Sequence, residues 1–137
     1  FNQGFETVEY LAASFLDMDY HTVTSTELSD PTEFENNSLN KIGLIPEIIS
    51  RYRSTYFRHV FSGGYSAGYY SYIWAEVLDS DAFQAFKETS IFNQKYAKLF
   101  RENILAKGGT DEPMNLYIKF RGREPKIDAL LKKRGLN

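Results

Sequence analysis

The run from His59 to Glu76 holds one of only two histidines in the chain, the pair Gly63-Gly64, and the tyrosines Tyr65, Tyr69, Tyr70 and Tyr72. A phenol hydroxyl is neutral at pH 7 and donates a hydrogen bond without bringing a charge. Such donors suit a peptide backbone or an oxygen that gains negative charge during acyl transfer. An imidazole beside them adds a second polar contact. Adjacent glycines permit backbone angles closed to other residues and a loop that moves. The plain alternative is that the tyrosines form an aromatic core stripe and that His59 is structural; spacing alone does not choose between the two.

Helical phase places these residues. At about 100° per residue, a helix over residues 65–78 carries Tyr65, Tyr69, Tyr72 and Glu76 on one face. Tyr70, Ile73, Trp74 and Val77 point the other way and are expected in the core. A first amphipathic helix covers residues 2–20, with Phe1, Phe5, Val8, Ala12, Phe15 and Leu16 as its stripe. Asp30-Pro31-Thr32-Glu33 is a helix start with Asp30 as cap, running to about Asn40 and ended by Gly43. Pro46 opens a short apolar segment, and residues 50–64 are less regular. Asp79-Ser80-Asp81 reads as the cap of a short helix with Phe83 and Phe86. Phe92, Tyr96, Leu99 and Phe100 give another stripe, closed by Lys107-Gly108-Gly109. Thr110-Asp111-Glu112-Pro113 and Pro125 start the last two helices. No strand pattern is present, so the class is all-α, an irregular helical bundle in a single domain.

Composition removes several functions. The net charge of −2 offers no electrostatic footprint for nucleic acid. No apolar run is long enough to span a bilayer. The chain has no cysteine, hence no thiolate metal site, which suits a cytoplasmic protein. His-Glu-x-x-His, the nucleophile elbow and the P-loop are all absent, so no metal ligand or activated nucleophile is assigned. His21, at the end of the first helix, reads as structural. The stretch Lys119-Phe120-Arg121-Gly122-Arg123-Glu124-Pro125-Lys126 is either an anion site or a solvated connection. Phe1 is not Met and no cap precedes the first stripe, so the chain reads as a piece of something longer.

Taken together, the residues resemble a known family. Phe1-Asn2-Gln3-Gly4-Phe5, Glu9-Tyr10-Leu11-Ala12-Ala13, the whole His59–Glu76 run, Lys107-Gly108-Gly109 and Phe120-Arg121-Gly122-Arg123-Glu124-Pro125 are similar to the C-terminal segment of the thimet oligopeptidase family, which includes oligopeptidase A and peptidyl-dipeptidase Dcp. The first segment and the ending Arg134-Gly135-Leu136 lean toward the peptidyl-dipeptidase branch. The resemblance implies a two-lobed, mostly helical zinc peptidase acting on short peptides in a deep channel. It implies that the zinc ligands and the catalytic Glu precede this region, so the chain alone is metal-free and inactive.

By the same resemblance, Tyr72 donates to the oxyanion of the tetrahedral intermediate. His59 and Tyr65 contact the substrate backbone, Tyr69 lines the same cleft, and the loop at Gly63-Gly64 lets the wall close. The implied partners are peptide substrates and the upstream part of the same protein. Apolar surface left bare, such as the stripe on residues 1–16, favours self-association. The alternative is a stand-alone helical module that binds a peptide or protein without catalysis.

Overall fold

The computed structural model describes residues 1–25 and 30–136. Among these the chain is all-α, with seven α-helices and no strand. Among the described residues no helix is long and apolar enough to cross a membrane. The chain forms two compact units, Phe1–Tyr72 and Ile73–Asn137.

The first unit is built on α1 (Gln3–His21), whose buried positions include Ala12, Ala13, Leu16 and Asp17. The two alanines let neighbouring backbone approach closely. Ala13 and Leu16 meet Phe57, Val60 and Tyr69 in the core, with Tyr10, Tyr20, Phe34 and Tyr52 packed around them. The expected stripe is thus split: Ala12 and Leu16 are buried, while Phe1, Phe5, Val8 and Phe15 remain exposed.

Helix α2 (Pro31–Lys41) starts as its sequence signals. The Asp30 carboxylate accepts the Thr32 and Glu33 N–H groups, and Pro31 occupies the first turn. Gly43 closes it at φ +67°, donating its N–H to the Asn40 carbonyl. Buried Glu35 accepts the Ser54 N–H at 2.7 Å and the Ser54 hydroxyl at 2.9 Å, and pairs with Arg53. That carboxylate fixes the short 3₁₀ turn Ser54–Tyr56, which leads into the single-turn helix α3 (Arg58–Phe61).

The long central helix differs from the sequence expectation. Helix α4 runs Ser71–Lys87, not 65–78, and residues 65–70 form a turn before it. The reason is a competing acceptor. The Asp17 carboxylate takes the Tyr69 N–H, which a helix over 65–78 would give to the Tyr65 carbonyl, along with the Ala67 N–H, which such a helix would leave unpaired in its first turn. Ala67 sits at φ +53°, in the left-handed region, so the turn cannot extend α4 backwards. Asp79-Ser80-Asp81 caps nothing; it lies inside α4, with Ser80 and Asp81 buried. Tyr70 and Trp74, expected in the core, are half-exposed, and only Val77 of that face is buried.

In the second unit, α5 (Gln94–Phe100) is capped by the Asn93 side chain and continues through a π turn over Arg101–Leu105. Helix α6 (Pro113–Arg121) begins at its proline, and α7 (Asp128–Arg134) begins three residues after Pro125. Val77 and Ala85 of α4 are buried with Leu116, Tyr117 and Phe120 of α6 and Leu130 of α7. Phe86, Phe100 and Phe120 add edge contacts, the closest being Phe100 to Phe120 at 5.2 Å.

The polar centre of this unit is Asp81, 2% exposed. It accepts the Tyr117 hydroxyl at 2.7 Å and Arg123 at 2.7 and 3.2 Å, with Arg121 Nε at 3.4 Å. Arg121 also pairs with Glu88 at 2.8 Å, and Lys119 with Asp111 at 2.7 Å. The two arginines of the basic stretch are therefore turned inward, holding α4 to the end of α6, because together they neutralise one carboxylate out of water, while Lys119 and Lys126 stay exposed. Burial alone would raise the Asp81 carboxyl. The hydrogen bonds from Arg123 and Tyr117 and the charges of both arginines outweigh it, leaving the group below the usual carboxylate range. The sign follows: its contribution is present at neutral pH and is lost as pH falls below about 4 and through the lowered folded value. Asp81→Ala strands a buried phenol and two guanidinium groups, and is expected to cost about 3–5 kcal/mol in denaturant unfolding at pH 7. The deficit shrinks in acid.

Candidate functional site

The loop between α3 and α4 is held from several sides. Gly63 has no room for a side chain, since a Cβ there would lie 2.8 Å from the His59 carbonyl oxygen and 3.0 Å from its Cα. Gly64 sits at φ +85°. The chain then turns back, and the Tyr65 N–H donates to the His59 carbonyl at 3.1 Å. The Ser66 hydroxyl donates to the Val60 carbonyl at 2.6 Å. Asp17, with no exposure, accepts the Ala67 N–H on Oδ1 at 3.0 Å and the Tyr69 N–H on Oδ2 at 2.9 Å. The Tyr10 hydroxyl donates to the Tyr69 carbonyl at 2.5 Å. Hydrogen bonds to a charged group contribute about 1.5–3 kcal/mol each. A left-handed alanine costs about 1–2 kcal/mol. The two Asp17 bonds therefore outweigh the strain at Ala67.

This loop brings the tyrosines together by a route the helical wheel did not contain. Tyr65 comes from the turn and Tyr72 from the first turn of α4, yet their rings stack at 5.1 Å and 28°. Tyr69 meets Tyr72 edge-on at 5.4 Å and His59 edge-on at 5.9 Å. His59 lies half-buried, its ring 6.2 Å from that of Tyr65. Tyr65 and Tyr72 are 37% and 40% exposed, so their faces are open to a ligand, whereas Tyr69 is 3% exposed. Tyr69 was expected to line the cleft with them; its ring instead backs the wall from the core side. Glu76, the fourth member of the expected face, pairs with Arg134 at 2.7 Å.

Three neighbours carry no sequence signal of their own. Tyr52 stacks on Phe57 at 4.9 Å and tilts against His59 at 4.9 Å. Tyr10 stacks on Tyr69 at 5.2 Å. Asp17 is one of many acidic residues in the sequence, and its partners lie 50 and 52 positions away. Tyr52 falls in an irregular segment without periodicity. Only Tyr10, on the buried side of an amphipathic helix, was open to detection.

A hydrogen bond with the Tyr65 side chain, followed by burial, raises the Tyr72 phenol to about 12. Burial is the first cause that pushes Tyr69 above the usual tyrosine value, with Tyr52 adding to it. Both hydroxyls therefore remain protonated donors at neutral pH. No three His, Cys, Asp or Glu side chains converge as a metal site among the described residues. His21 Nδ1 is occupied by Asp17, 2.8 Å from its carbonyl and 2.9 Å from Oδ1. His59 is packed among rings. These residues do not fit a zinc ion.

Residues 1–136 match the sequence profile of peptidase family M3. The chain belongs to that family. It is 42% identical to the dipeptidyl carboxypeptidase of Escherichia coli K12 over 139 residues, covering all of this chain and 20% of that protein. It is 55% identical to oligopeptidase A of the same organism over 80 residues, 58% of this chain and 12% of that protein. Saccharolysin of Saccharomyces cerevisiae is 33% identical over 138 residues, 98% of this chain and 19% of that protein. The chain thus spans about a fifth of the length of relatives matched end to end. The family membership expected from the His59–Glu76 run is established.

Two outcomes follow from the wall's geometry. Tyr65→Phe removes the main cause of the raised Tyr72 value, so tyrosinate absorbance at alkaline pH should show one late phenol moving down toward the ordinary value of about 10. In the unsubstituted chain, the stability tied to Tyr72 holds below about 10 and declines as pH rises from there to about 12. Gly63→Ala forces the His59 carbonyl aside and should lower stability by about 1–3 kcal/mol in thermal unfolding.

Proposed function

We propose that this chain is the C-terminal part of a zinc peptidase that hydrolyses short peptides, and that it supplies the substrate-side wall of the active site. The observation that carries the reading is the exposed, stacked pair Tyr65–Tyr72, one ring from the loop fixed by buried hydrogen bonds and the other from the first turn of α4, with the Tyr72 phenol raised to about 12. Tyr72 donates from its hydroxyl to the scissile carbonyl oxygen as that oxygen gains charge. To do so it exchanges its hydrogen bond with Tyr65 for one to that oxygen, and an oxyanion donor is worth about 10²–10³ in rate. Tyr65 and the His59 ring contact the peptide backbone beside the scissile bond. Tyr69 keeps both in place from behind, and the Gly63-Gly64 loop closes over the bound peptide.

No step through a metal is assigned to these residues. The zinc ligands and the water-activating Glu belong to the upstream part of the polypeptide, and this chain by itself is inactive. Dipeptide release is the proposed outcome, supported by 42% identity to a dipeptidyl carboxypeptidase over the whole chain. A cytoplasmic location is proposed with it. Phe1, Phe5 and Phe15, bare on α1, are the proposed surface for the upstream part, and for self-association without it.

The test uses the polypeptide with its upstream sequence and a short quenched peptide. Tyr72→Phe should lower kcat by about 10²–10³ with little change in KM. Chelation should abolish turnover and zinc should restore it. Turnover unchanged in Tyr72→Phe rejects the oxyanion role, and turnover indifferent to chelation rejects the zinc peptidase.

A further inference from the structure

We infer that Asp17 is a positioning residue for the tyrosine wall: its carboxylate sets the backbone from which Tyr65 and Tyr72 project. The functional half of this inference rests on the proposed role of Tyr72; the geometric half does not.

The carboxylate is fully buried and offers one oxygen to each of two amides, Oδ1 to Ala67 and Oδ2 to Tyr69. Those amides lie between the two exposed tyrosines, with Tyr65 two residues before Ala67 and Tyr72 three residues after Tyr69. The segment has little reason to hold one shape by itself. It contains Gly63, Gly64 and Gly68, and it places a non-glycine residue at positive φ. Bonds to the His59 and Val60 carbonyls hold its start, and contacts from α1 hold the rest: Asp17 on two N–H groups and Tyr10 on the Tyr69 carbonyl. His21 Nδ1, 2.9 Å from Oδ1, holds the carboxylate from the other side.

The chemistry requires an aspartate. Asparagine supplies one oxygen and turns an N–H₂ donor toward the second amide. Glutamate moves both oxygens by a methylene in a site with no free volume to the solvent. A displacement of about 1 Å at a reacting group is enough to cost about 10²-fold in rate. Loss of the clamp therefore reaches turnover through Tyr72, although Asp17 touches no substrate.

The experiment compares Asp17→Asn, Tyr72→Phe and the double variant in the polypeptide with its upstream sequence, each checked for cooperative melting. The single Asp17→Asn is expected to lower kcat about 10-fold or more with KM changed far less. In the Tyr72→Phe background it should cost under about 2-fold, because the donor it positions is gone. Losses that simply multiply would show that Asp17 acts on stability alone and would overturn the inference. Hydrogen exchange on the unsubstituted chain reads the clamp where Asp17→Asn fails to fold. The Ala67 and Tyr69 amides should be protected far beyond that of exposed Gly64, and free exchange at both overturns the clamp. Should Tyr72→Phe leave turnover intact while both amides stay protected, the oxyanion role fails and the clamp stands.

Discussion

Asp17 is a carboxylate with no solvent exposure, and the first unit is arranged around satisfying it. A buried charge is tolerated only when hydrogen bonds replace its water. Here the replacements are two backbone N–H groups and a histidine, all aimed at one side chain. The same device recurs. Glu35 of α2 takes the backbone and hydroxyl of Ser54, and Asp81 of α4 takes Tyr117 and Arg123. In each case a helix contributes one acid that fixes a partner distant in sequence. Helices carry their own backbone hydrogen bonds; turns and loops do not, and Asp17 and Glu35 accept backbone N–H groups that the irregular segments leave unpaired.

The consequence for chemistry lies in the order of the wall. Tyr69 is buried and rigid, Tyr65 and Tyr72 are half-open, and His59 packs between the rings. Neutral phenols held away from ionisation suit a reaction in which negative charge appears on a carbonyl oxygen and then leaves. Fixed anions at this place would repel that oxygen, and Asp17 is kept behind the loop backbone instead. The described residues bring no metal-binding cluster to the wall, and the M3 relatives matched end to end are about five times longer.

The second unit looks different. Its internal ion pairs are spent on joining α4 to α6 and α7, including Arg134 to Glu76 at 2.7 Å. Beside them lies a largely apolar cavity of about 490 Å³ lined by Trp74, Leu78, Phe100, Ile104, Met114 and Tyr117. None of the tyrosines of the wall lines it. Helix α5 and the π turn after it have no buried residue, although Phe92, Tyr96, Leu99 and Phe100 form a stripe in sequence. The unit thus carries more apolar pattern than its own core consumes.

The sequence by itself determined what depends on near neighbours. The all-α class, the Asp30–Pro31 start, the Gly43 stop and the start at Pro113 follow from groups within one turn of each other. It also determined the family, through one specific run of residues. The tertiary structure decided the rest. Whether residues 65–70 continue α4 depends on Asp17, about 50 positions away, which takes the Tyr69 N–H and holds a turn with Ala67 in the left-handed region. Whether the basic stretch faces water or Asp81 depends on a carboxylate about 40 residues earlier. Periodicity placed Tyr65, Tyr69 and Tyr72 on one helical face; the fold gathered them from a loop, a core and a helix end. A long-range hydrogen bond leaves no period in a sequence, and here such bonds decide which tyrosines are exposed and which are buried.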